Sequence, residues 1–481
     1  MRGRLVVLVT GALCALGCAG LDQVGLATPP PPPVVPEVAP PPSAVRPSNV
    51  LILLADDLGA DRIGAYGVHP EPASTPNIDA LAAEGVRFRN AYVAPVCSPT
   101  RASLLTGRHP RRIGMGTIVS PKKDPSGLAR SEVTLPEMLV HAPQPWASLA
   151  LGKWHLAVDD WPDRDRDPLV QGFDHYAGAL ENLPTIVGEQ RKKKGNYYDW
   201  QKTVDGETTW STRYATTDTV DEALARIPNL EEPWLVYVAF QAVHHPFDLP
   251  PPELTPTLRS GAESVPRTVD AMAEALDTEL GRLLAGVDRS DTTVVFLSDN
   301  GTTKEAIKRP WPPERGKLTL YDGGCRVPLI ITGPAVTRPG STSDAFVHAM
   351  DLFPTVAELA GVDLSSVTAA DGSPVVLDGV SLLPWLADPD APSPRETIYV
   401  DRFGPNGAPP YLAKDERMIR DAGHKLMRTK DGEAFFEYPA DGGWQEGPNL
   451  LPRGLTPAQQ AAYDRLAVAM ASRVQQLEGV R

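Results

Sequence analysis

The sequence predicts an α/β protein with a large, mostly parallel sheet flanked by helices. From residue 49 onward, short apolar runs alternate with amphipathic segments, which is typical of a parallel sheet covered on both faces. Four of these runs end directly in polar residues. Because open α/β sheets build their sites beyond the carboxyl ends of strands, the pattern predicts one pocket that receives side chains from four strands.

The four runs end in polar groups of complementary kinds. In chain order they are residues 50–54 before Asp56 and Asp57, residues 146–151 before Lys153 and His155, residues 234–240 before His244, and residues 292–297 before Asp299 and Asn300. One pocket could gather the carboxylates, the amide, the imidazoles and the amine.

Helices are predicted between and after the strands. Residues 76–84 and 270–284 carry apolar side chains at helical spacing, and these are packing residues. Further on the alternation weakens. Residues 418–436 predict a short antiparallel meander, and residues 456–477 predict a final helix.

Composition divides the chain into four parts. They are an export signal of residues 1–18, a proline-rich tether of residues 19–47, a large α/β domain of residues 48–377 and a smaller α+β C-terminal subdomain of residues 378–481. In the first part, Arg2 and Arg4 precede an apolar run that is too short to span a bilayer. The chain is therefore expected to be exported.

The export signal ends in a sequence that resembles a bacterial lipoprotein cleavage box. Cys18 would then carry a lipid, and the proline runs behind it would form a semi-rigid spacer. This arrangement predicts a lipoprotein of the periplasm, the outer membrane or the cell surface. The alternative is a leader that is cut away on export.

Charge and cysteine content exclude several classes of protein. The formal net charge of −14 argues against a nucleic-acid or anionic-membrane surface. Of the four cysteines, Cys14 and Cys18 lie in the signal region. Cys97 and Cys325 remain, so no disulfide framework is predicted. Cys325 is expected to be a small buried residue.

Residues 97–108 form the most informative stretch of the chain. Ser98 is a predicted N-cap, Pro99 fits the first helical position, and Gly107 fits the left-handed residue that ends a helix. Cys97 would then lie ahead of a helix N-terminus, where an anion is favoured and a thiol pKa is lowered. Arg101 can reach the same place. The alternatives are a buried structural cysteine and a cysteine phosphatase, whose loop needs five residues between Cys and Arg where three stand here.

The string Cys-Ser-Pro-Thr-Arg, followed by Thr106 and Gly107, resembles the signature of the type I sulfatases of the alkaline-phosphatase-like superfamily. Thr100 stands where that family more often has Ser. The resemblance implies that a formylglycine-generating enzyme converts Cys97 to Cα-formylglycine. The nucleophile would then be one hydroxyl of the hydrated aldehyde.

Asp56, Asp57, Asp299 and Asn300 offer hard oxygen ligands of the kind that Ca²⁺ or Mg²⁺ takes. Each pair alone also fits a turn or a helix cap. The resemblance implies that these four residues and residue 97 bind one divalent cation, with calcium preferred over magnesium. Three crowded carboxylates would otherwise repel one another.

Lys153 and His155 face the same side of an extended segment and resemble the Gly-Lys-x-His element of the family. His244 matches its His-x-Pro element. Lys317 matches the lysine ahead of its Glu-Gly-Gly-x-Arg-Val-Pro stretch, although Asp322 replaces the Glu. Lys304 and Lys308 also lie near Lys317 in sequence. For Lys153 and His155, the alternative is a solvated strand end.

A sulfate ester needs neutralised oxygens, an in-line nucleophile and a proton for the leaving alcohol. The resemblance implies that the cation, Arg101, Lys153 and Lys317 bind the sulfuryl oxygens, that residue 97 attacks sulfur, and that His244, helped by Lys317, protonates the alcohol. His155 would then take a proton from the second hydroxyl. A covalent sulfo-enzyme would release sulfate and regenerate the aldehyde.

The sequence therefore predicts an arylsulfatase-like sulfuric ester hydrolase, a metal-binding hydrolase that acts on a small or saccharide sulfate. The alternatives are a phosphonate monoester or phosphodiester hydrolase of the same superfamily and an inactive lipid-anchored glycan-binding protein. Residues 191–194, with Tyr197, Tyr198 and Trp200, predict a solvated loop or a contact with an anionic sugar polymer. The alcohol half of the ester, whether aryl, choline or sugar, stays open.

Overall fold

A ten-stranded sheet runs through the centre of the protein in the computed structural model. The structure describes residues 49–120, 126–158, 160–183, 195–258, 264–411, 413–440 and 442–479. The predicted export signal, Cys18, the tether and residues 191–194 lie outside the described residues. None of the described helices has the length and apolar character needed to cross a lipid bilayer.

Fourteen strands are described. They are β1 (Asn49–Ala55), β2 (Val86–Tyr92), β3 (Ala147–Lys153), β4 (His175–Ala179), β5 (Trp200–Val204), β6 (Glu207–Ser211), β7 (Trp234–Ala239), β8 (Thr292–Ser298), β9 (Leu329–Thr332), β10 (Ser341–His348), β11 (Ile398–Gly404), β12 (Lys414–Arg420), β13 (His424–Thr429) and β14 (Gly432–Glu437).

Ten α-helices are described. They are α1 (Pro76–Glu84), α2 (Cys97–Thr106), α3 (Leu135–Leu139), α4 (Asp167–Val170), α5 (Ala215–Arg226), α6 (Val265–Ala285), α7 (Asp322–Cys325), α8 (Leu352–Ala360), α9 (Leu383–Ala387) and α10 (Pro457–Gly479). The helix predicted over residues 76–84 is confirmed as α1. The helix predicted over residues 270–284 is longer than expected, because Pro266 near its start allows an extra first turn.

The large sheet has the strand order β10-β2-β9-β8-β1-β7-β3-β4-β5-β6. The run from β8 to β4 is parallel throughout, as the sequence predicts. The sheet as a whole is mixed, because β9 and the β5–β6 hairpin pair antiparallel to their neighbours. The predicted α/β class is confirmed.

The two faces of the sheet belong to two separate hydrophobic clusters. Along β1, Val50, Ile52 and Leu54 pack on one face, whereas Leu51 and Leu53 pack on the other. All seven residues of β1 are buried. Helices therefore cover both faces, and a central strand of this kind reads as a continuous apolar run.

Beyond the large sheet, β11 to β14 form a four-stranded antiparallel sheet. Met418 and Met427 pack on Tyr92 of the large sheet, while Ile419 and Leu426 pack on α10. The predicted meander and the final helix are both present. This small sheet is therefore sandwiched between α10 and the edge of the large sheet.

A buried ionic cluster joins the small sheet to the large one. Lys425 of β13 donates to Asp322 Oδ1 at 2.8 Å and to Glu446 Oε1 at 2.7 Å, and all three side chains are buried. Burial alone would raise the pKa of Asp322, but Lys425, Arg420 and Arg326 hold it well below its usual value. Asp322 also accepts from the hydroxyls of two tyrosines, Tyr92 and Tyr438. The carboxylate is thus fully ionised and fully partnered.

We predict that Lys425→Met destabilises the protein by about 3–5 kcal/mol, because it leaves two buried carboxylates without their shared cation. Denaturant unfolding followed by fluorescence measures the change. Lys430→Met is the matched control, since Lys430 pairs with Asp431 on the surface, where its side chain is 73% exposed. Equal unfolding midpoints for both variants would contradict the prediction.

Candidate active site

Four adjacent parallel strands deliver the predicted site residues to one edge of the sheet. Strands β8, β1, β7 and β3 are neighbours in that order, and their carboxyl ends point the same way. Asp299 and Asn300 follow β8, Asp56 and Asp57 follow β1, His244 follows β7, and Lys153 ends β3 just before His155. Lys317 reaches the same place from the loop ahead of α7, and Cys97 from the start of α2.

Helix α2 begins two residues earlier than predicted. Cys97 is its first residue, Val96 is its N-cap, and no side chain caps it. The predicted N-cap role of Ser98 is therefore wrong. The Ser98 hydroxyl instead accepts a hydrogen bond from the Val119 amide at 3.1 Å. Gly107 adopts the predicted left-handed conformation with φ 68°.

The Cys97 thiol is buried, and burial raises its pKa above the usual range despite the nearby amines of Lys153 and Lys317. The sequence predicts a lowered pKa, and that prediction is wrong. Desolvation of the thiolate outweighs the favourable charges. Cys97 and Cys325 are both free and buried, so neither is held in a disulfide.

His155 presents a lone pair to Cys97. Its Nε2 lies 3.2 Å from the Val119 carbonyl, and only a protonated nitrogen can donate to that oxygen. Its Nδ1 lies 3.4 Å from the Cys97 sulfur. Burial, together with the charges of Lys153 and Arg101, lowers the pKa of His155 well below its usual value. A neutral imidazole with Nδ1 free is a base aimed at residue 97.

Arg101 holds the carboxylates of the site together. Its Nη2 donates to Asp299 Oδ2 at 2.8 Å and to Asp56 Oδ2 at 2.9 Å, and its Nε donates to Asp299 Oδ2 at 3.2 Å. Its Nη1 donates to the Lys153 carbonyl at 2.9 Å. These contacts link the guanidinium to both carboxylates and to the end of β3, so Arg101 orients protein groups. Its contact with the sulfuryl oxygens stays a prediction.

Two lysines also contact the carboxylates. Lys153 Nζ contacts Asp56, and Lys317 Nζ lies 2.5 Å from Asp57 Oδ1. Burial would lower the pKa of Lys317, but Asp57 raises it well above its usual value. Of the three lysines near in sequence, Lys317 is the one at the site, because Lys304 pairs with Glu305 and Lys308 with Asp270.

Several buried oxygens of the site have no hydrogen-bond partner among the described residues: Asp56 Oδ1, Asp57 Oδ2 and Asn300 Oδ1. Burial and the neighbouring carboxylates raise the pKa of Asp57 to about 7. A buried, unpartnered acceptor costs about 1–3 kcal/mol. Three such oxygens on adjacent strand ends are hard donors of the kind that a divalent cation takes. Asp56, Asp57 and Asn300 therefore fit a cation.

His244 lies close enough to join that donor set. Ligand atoms of Asp56, Asp57 and His244 all lie within 4.8 Å of one another. The sequence predicts His244 in the pocket as a proton donor, and its position after β7 is the signal that places it beside the carboxylates. Its Nδ1 lies 2.7 Å from the His245 carbonyl and donates to it, so Nε2 faces Asp57 Oδ2 at 4.0 Å. Burial, then Lys317 and Lys153, lower the pKa of His244.

Two of the three aromatic residues after residue 194 differ from both expectations. Tyr197 and Trp200 are buried in the core on one face of the sheet, so neither faces solvent or a polymer. Tyr198 is 38% exposed, and its hydroxyl donates to the Leu249 carbonyl at 2.6 Å. Tyr197 and Trp200 therefore serve packing, because large aromatic rings bury much apolar area.

Known proteins share this fold and sequence. The sulfatase family profile matches residues 48–362. Human arylsulfatase A is 31% identical over 428 residues, covering 83% of this chain and 78% of that protein. Human N-acetylgalactosamine-6-sulfatase is 35% identical over 378 residues, covering 71% of this chain and 66% of that protein.

Solved structures show the same architecture. The complex of Ps i-CgsB with k-i-k-neocarrahexaose has a TM-score of 0.72 at 24% identity, and it covers 90% of this chain and 93% of that one. The structure of BT4656 with its substrate D-glucosamine-2-N,6-O-disulfate has a TM-score of 0.65 at 21% identity, and it covers 90% of this chain and 98% of that one. Fold and site together define a hydrolase of the alkaline-phosphatase-like class.

The chain belongs to the sulfatase family. It is a sulfatase enzyme, and its activity is on sulfate esters.

Proposed function

We propose that the protein hydrolyses a saccharide sulfate ester through formylglycine formed from Cys97, with calcium as the assisting cation. The observation that carries the proposal is the position of Cys97. Its buried sulfur lies 3.4 Å from the unprotonated Nδ1 of His155, and the charges of Lys153, Lys317, Asp56 and Asp299 all act on its pKa. Formylglycine supplies, when hydrated, two hydroxyls on one carbon, one to attack sulfur and one to drive sulfate release.

The residues that would hold the cation are Asp56, Asp57, Asp299 and Asn300, with residue 97 as a further donor. When bound, the cation neutralises negative charge on the sulfate and on the carboxylates. Lys153 and Lys317 pair with Asp56 and Asp57. Both amines lie at the carboxylate side of the site, where each can turn to a sulfuryl oxygen and stabilise the charge that develops there.

His155 and His244 divide the proton transfers. Nδ1 of His155 takes the proton from the hydroxyl of residue 97 that remains after the ester bond has broken. His244 acts in its imidazolium form, which the negative charge of a bound sulfate ester favours. It gives the Nε2 proton to the alcohol oxygen as the bond to sulfur breaks and keeps the Nδ1 proton on the His245 carbonyl, with Lys317 nearby to stabilise the negative charge. The Val119 carbonyl likewise holds the proton of His155 on Nε2 and leaves Nδ1 as the base.

A saccharide is the proposed alcohol because relatives act on or bind sulfated sugars. One relative is an N-acetylgalactosamine-6-sulfatase, and one structural neighbour binds D-glucosamine-2-N,6-O-disulfate. Export and lipid attachment at Cys18 complete the proposal, since a polymeric or environmental sugar sulfate would be met outside the cell.

The proposal is tested first by mass and product. Protein made with a formylglycine-generating enzyme should yield the tryptic peptide 90–101 with the Cys97 thiol replaced by an aldehyde, and it should release sulfate from sugar sulfates. Phosphate release from phosphonate monoesters and phosphodiesters is assayed in parallel. An unmodified thiol in active protein would remove formylglycine from the proposal. Faster turnover of phosphonate monoesters or phosphodiesters than of sugar sulfates would show that the proposed substrate class is wrong.

The second prediction concerns the cation. Asp57→Asn removes one carboxylate of the set, so the purified variant should lose its stoichiometric calcium by elemental analysis. It should also lose the thermal stabilisation that calcium gives the parent protein, about 2.7 kcal/mol at a hundredfold excess over Kd. Asp344→Asn, at an exposed carboxylate paired with Arg89, is the control. Full activity of metal-free protein would contradict the prediction.

The third prediction separates the two histidines. His244→Ala should matter little for 4-nitrophenyl sulfate, whose phenolate leaves without a proton, and should slow alkyl or sugar sulfates by about 10² or more. His155→Ala should slow all esters alike, because the alcohol has already departed before the step that His155 serves. The variant should therefore leave a sulfo group esterified to residue 97 in peptide 90–101. A series of esters of rising alcohol pKa, with intact mass after quenching, distinguishes them. Equal dependence on alcohol pKa in both variants would show that the roles are wrong.

A further inference from the structure

We propose that Tyr197 is a positioning residue, whose hydroxyl holds His244 at the angle from which it protonates the leaving alcohol. The inference rests on the proposed role of His244. Tyr197 does not reach the substrate, because its ring is fully buried beneath the site. It acts on the short turn of residues 241–244, which carries His244 from the end of β7.

The Tyr197 hydroxyl lies between two carbonyls of that turn. Its Oη is 2.7 Å from the Gln241 carbonyl and 2.9 Å from the His244 carbonyl. Both oxygens are acceptors, so the phenol proton is shared between them. The His244 amide closes the turn by donating to the Gln241 carbonyl at 2.9 Å. One hydroxyl thus ties together the first and last residues of the turn.

The opposite side of the turn is bonded to the backbone of a predicted metal ligand. The Asp56 amide donates to the Ala242 carbonyl at 2.9 Å, and the Val243 amide donates to the Asp56 carbonyl at 2.6 Å. The turn is therefore held between Asp56 and Tyr197. Removal of the Tyr197 hydroxyl frees one side, while the bonds to Asp56 and the cation donors stay in place.

Tyr197 is itself rigidly placed. Its amide donates to Asp248 Oδ2 at 3.0 Å, its carbonyl accepts from the Ala215 amide at 2.9 Å, and its ring stacks on Tyr214 at 5.4 Å between centroids. A hydroxyl fixed by its own backbone and by a neighbouring ring can fix a second group. Positioning matters at this level because a displacement of about 1 Å in a catalytic group can cost about 10² in rate.

Tyr214 provides a matched control in the same stack. Its hydroxyl is buried, and among the described residues it has no hydrogen bond to the turn of residues 241–244. Tyr197→Phe and Tyr214→Phe therefore remove the same atom from adjacent buried rings, but only the first removes a bond to the His244 turn. A general effect of losing a buried hydroxyl should be the same in both variants.

The experiment measures kcat for 4-nitrophenyl sulfate and for a monosaccharide 6-sulfate in full-length, modified, calcium-loaded protein. For Tyr197→Phe we expect a loss of about 10-fold or more on the sugar sulfate and less than about 3-fold on the nitrophenyl ester, with KM changed little. Tyr214→Phe should leave the ratio of the two rates as in the parent. This ratio cancels the fraction of folded, active enzyme in each preparation.

His244→Ala is measured in the same series to separate the two levels of the proposal. If His244→Ala changes the ratio and Tyr197→Phe does not, the positioning role is overturned and the acid role of His244 stands. If neither changes it, the acid role itself is wrong. A Tyr197→Phe protein that fails to fold, beside a folded Tyr214→Phe protein, would assign the hydroxyl to folding and would also overturn the inference.

Discussion

The crowding of three buried carboxylates at one edge of the sheet is the constraint on which the site depends. Parallel pairing of β8 with β1 places Asp299 beside Asp56 and Asp57, and none of these side chains reaches solvent. Such an arrangement is unstable without positive charge. Arg101 supplies it to Asp56 and Asp299, Lys153 supplies it to Asp56, and Lys317 supplies it to Asp57.

This balance also explains why so many charged residues are buried here. Arg101 and Lys153 are fully buried, and they would be costly anywhere else in the fold. Burial raises the pKa of Asp57 and Asp299, whereas the neighbouring amines hold the pKa of Asp56 well below its usual value. The carboxylate most strongly paired with cations is the one that stays ionised most readily.

Much of this site could be predicted from the sequence, because the relevant signals are local. Asp56-Asp57 and Asp299-Asn300 each follow an apolar strand directly, so the sequence predicts that these side chains lie at the carboxyl ends of their strands. The predicted Ser98 cap is wrong because its hydroxyl bonds the Val119 amide, twenty-one positions away, and such a partner is not visible in the local sequence. The raised pKa of Cys97 depends likewise on how deeply the assembled sheet buries the thiol. The antiparallel β9 and the β5–β6 hairpin were missed because short runs carry little directional information.

Val119 connects two parts of the site that the sequence keeps far apart. Its amide donates to Ser98, next to the nucleophile position, and its carbonyl accepts from His155. The start of α2 and the imidazole are therefore fastened to the same peptide residue. A shift of α2 relative to His155 must therefore distort one of these two hydrogen bonds. One residue outside the catalytic set thus restrains the spacing between residue 97 and its base.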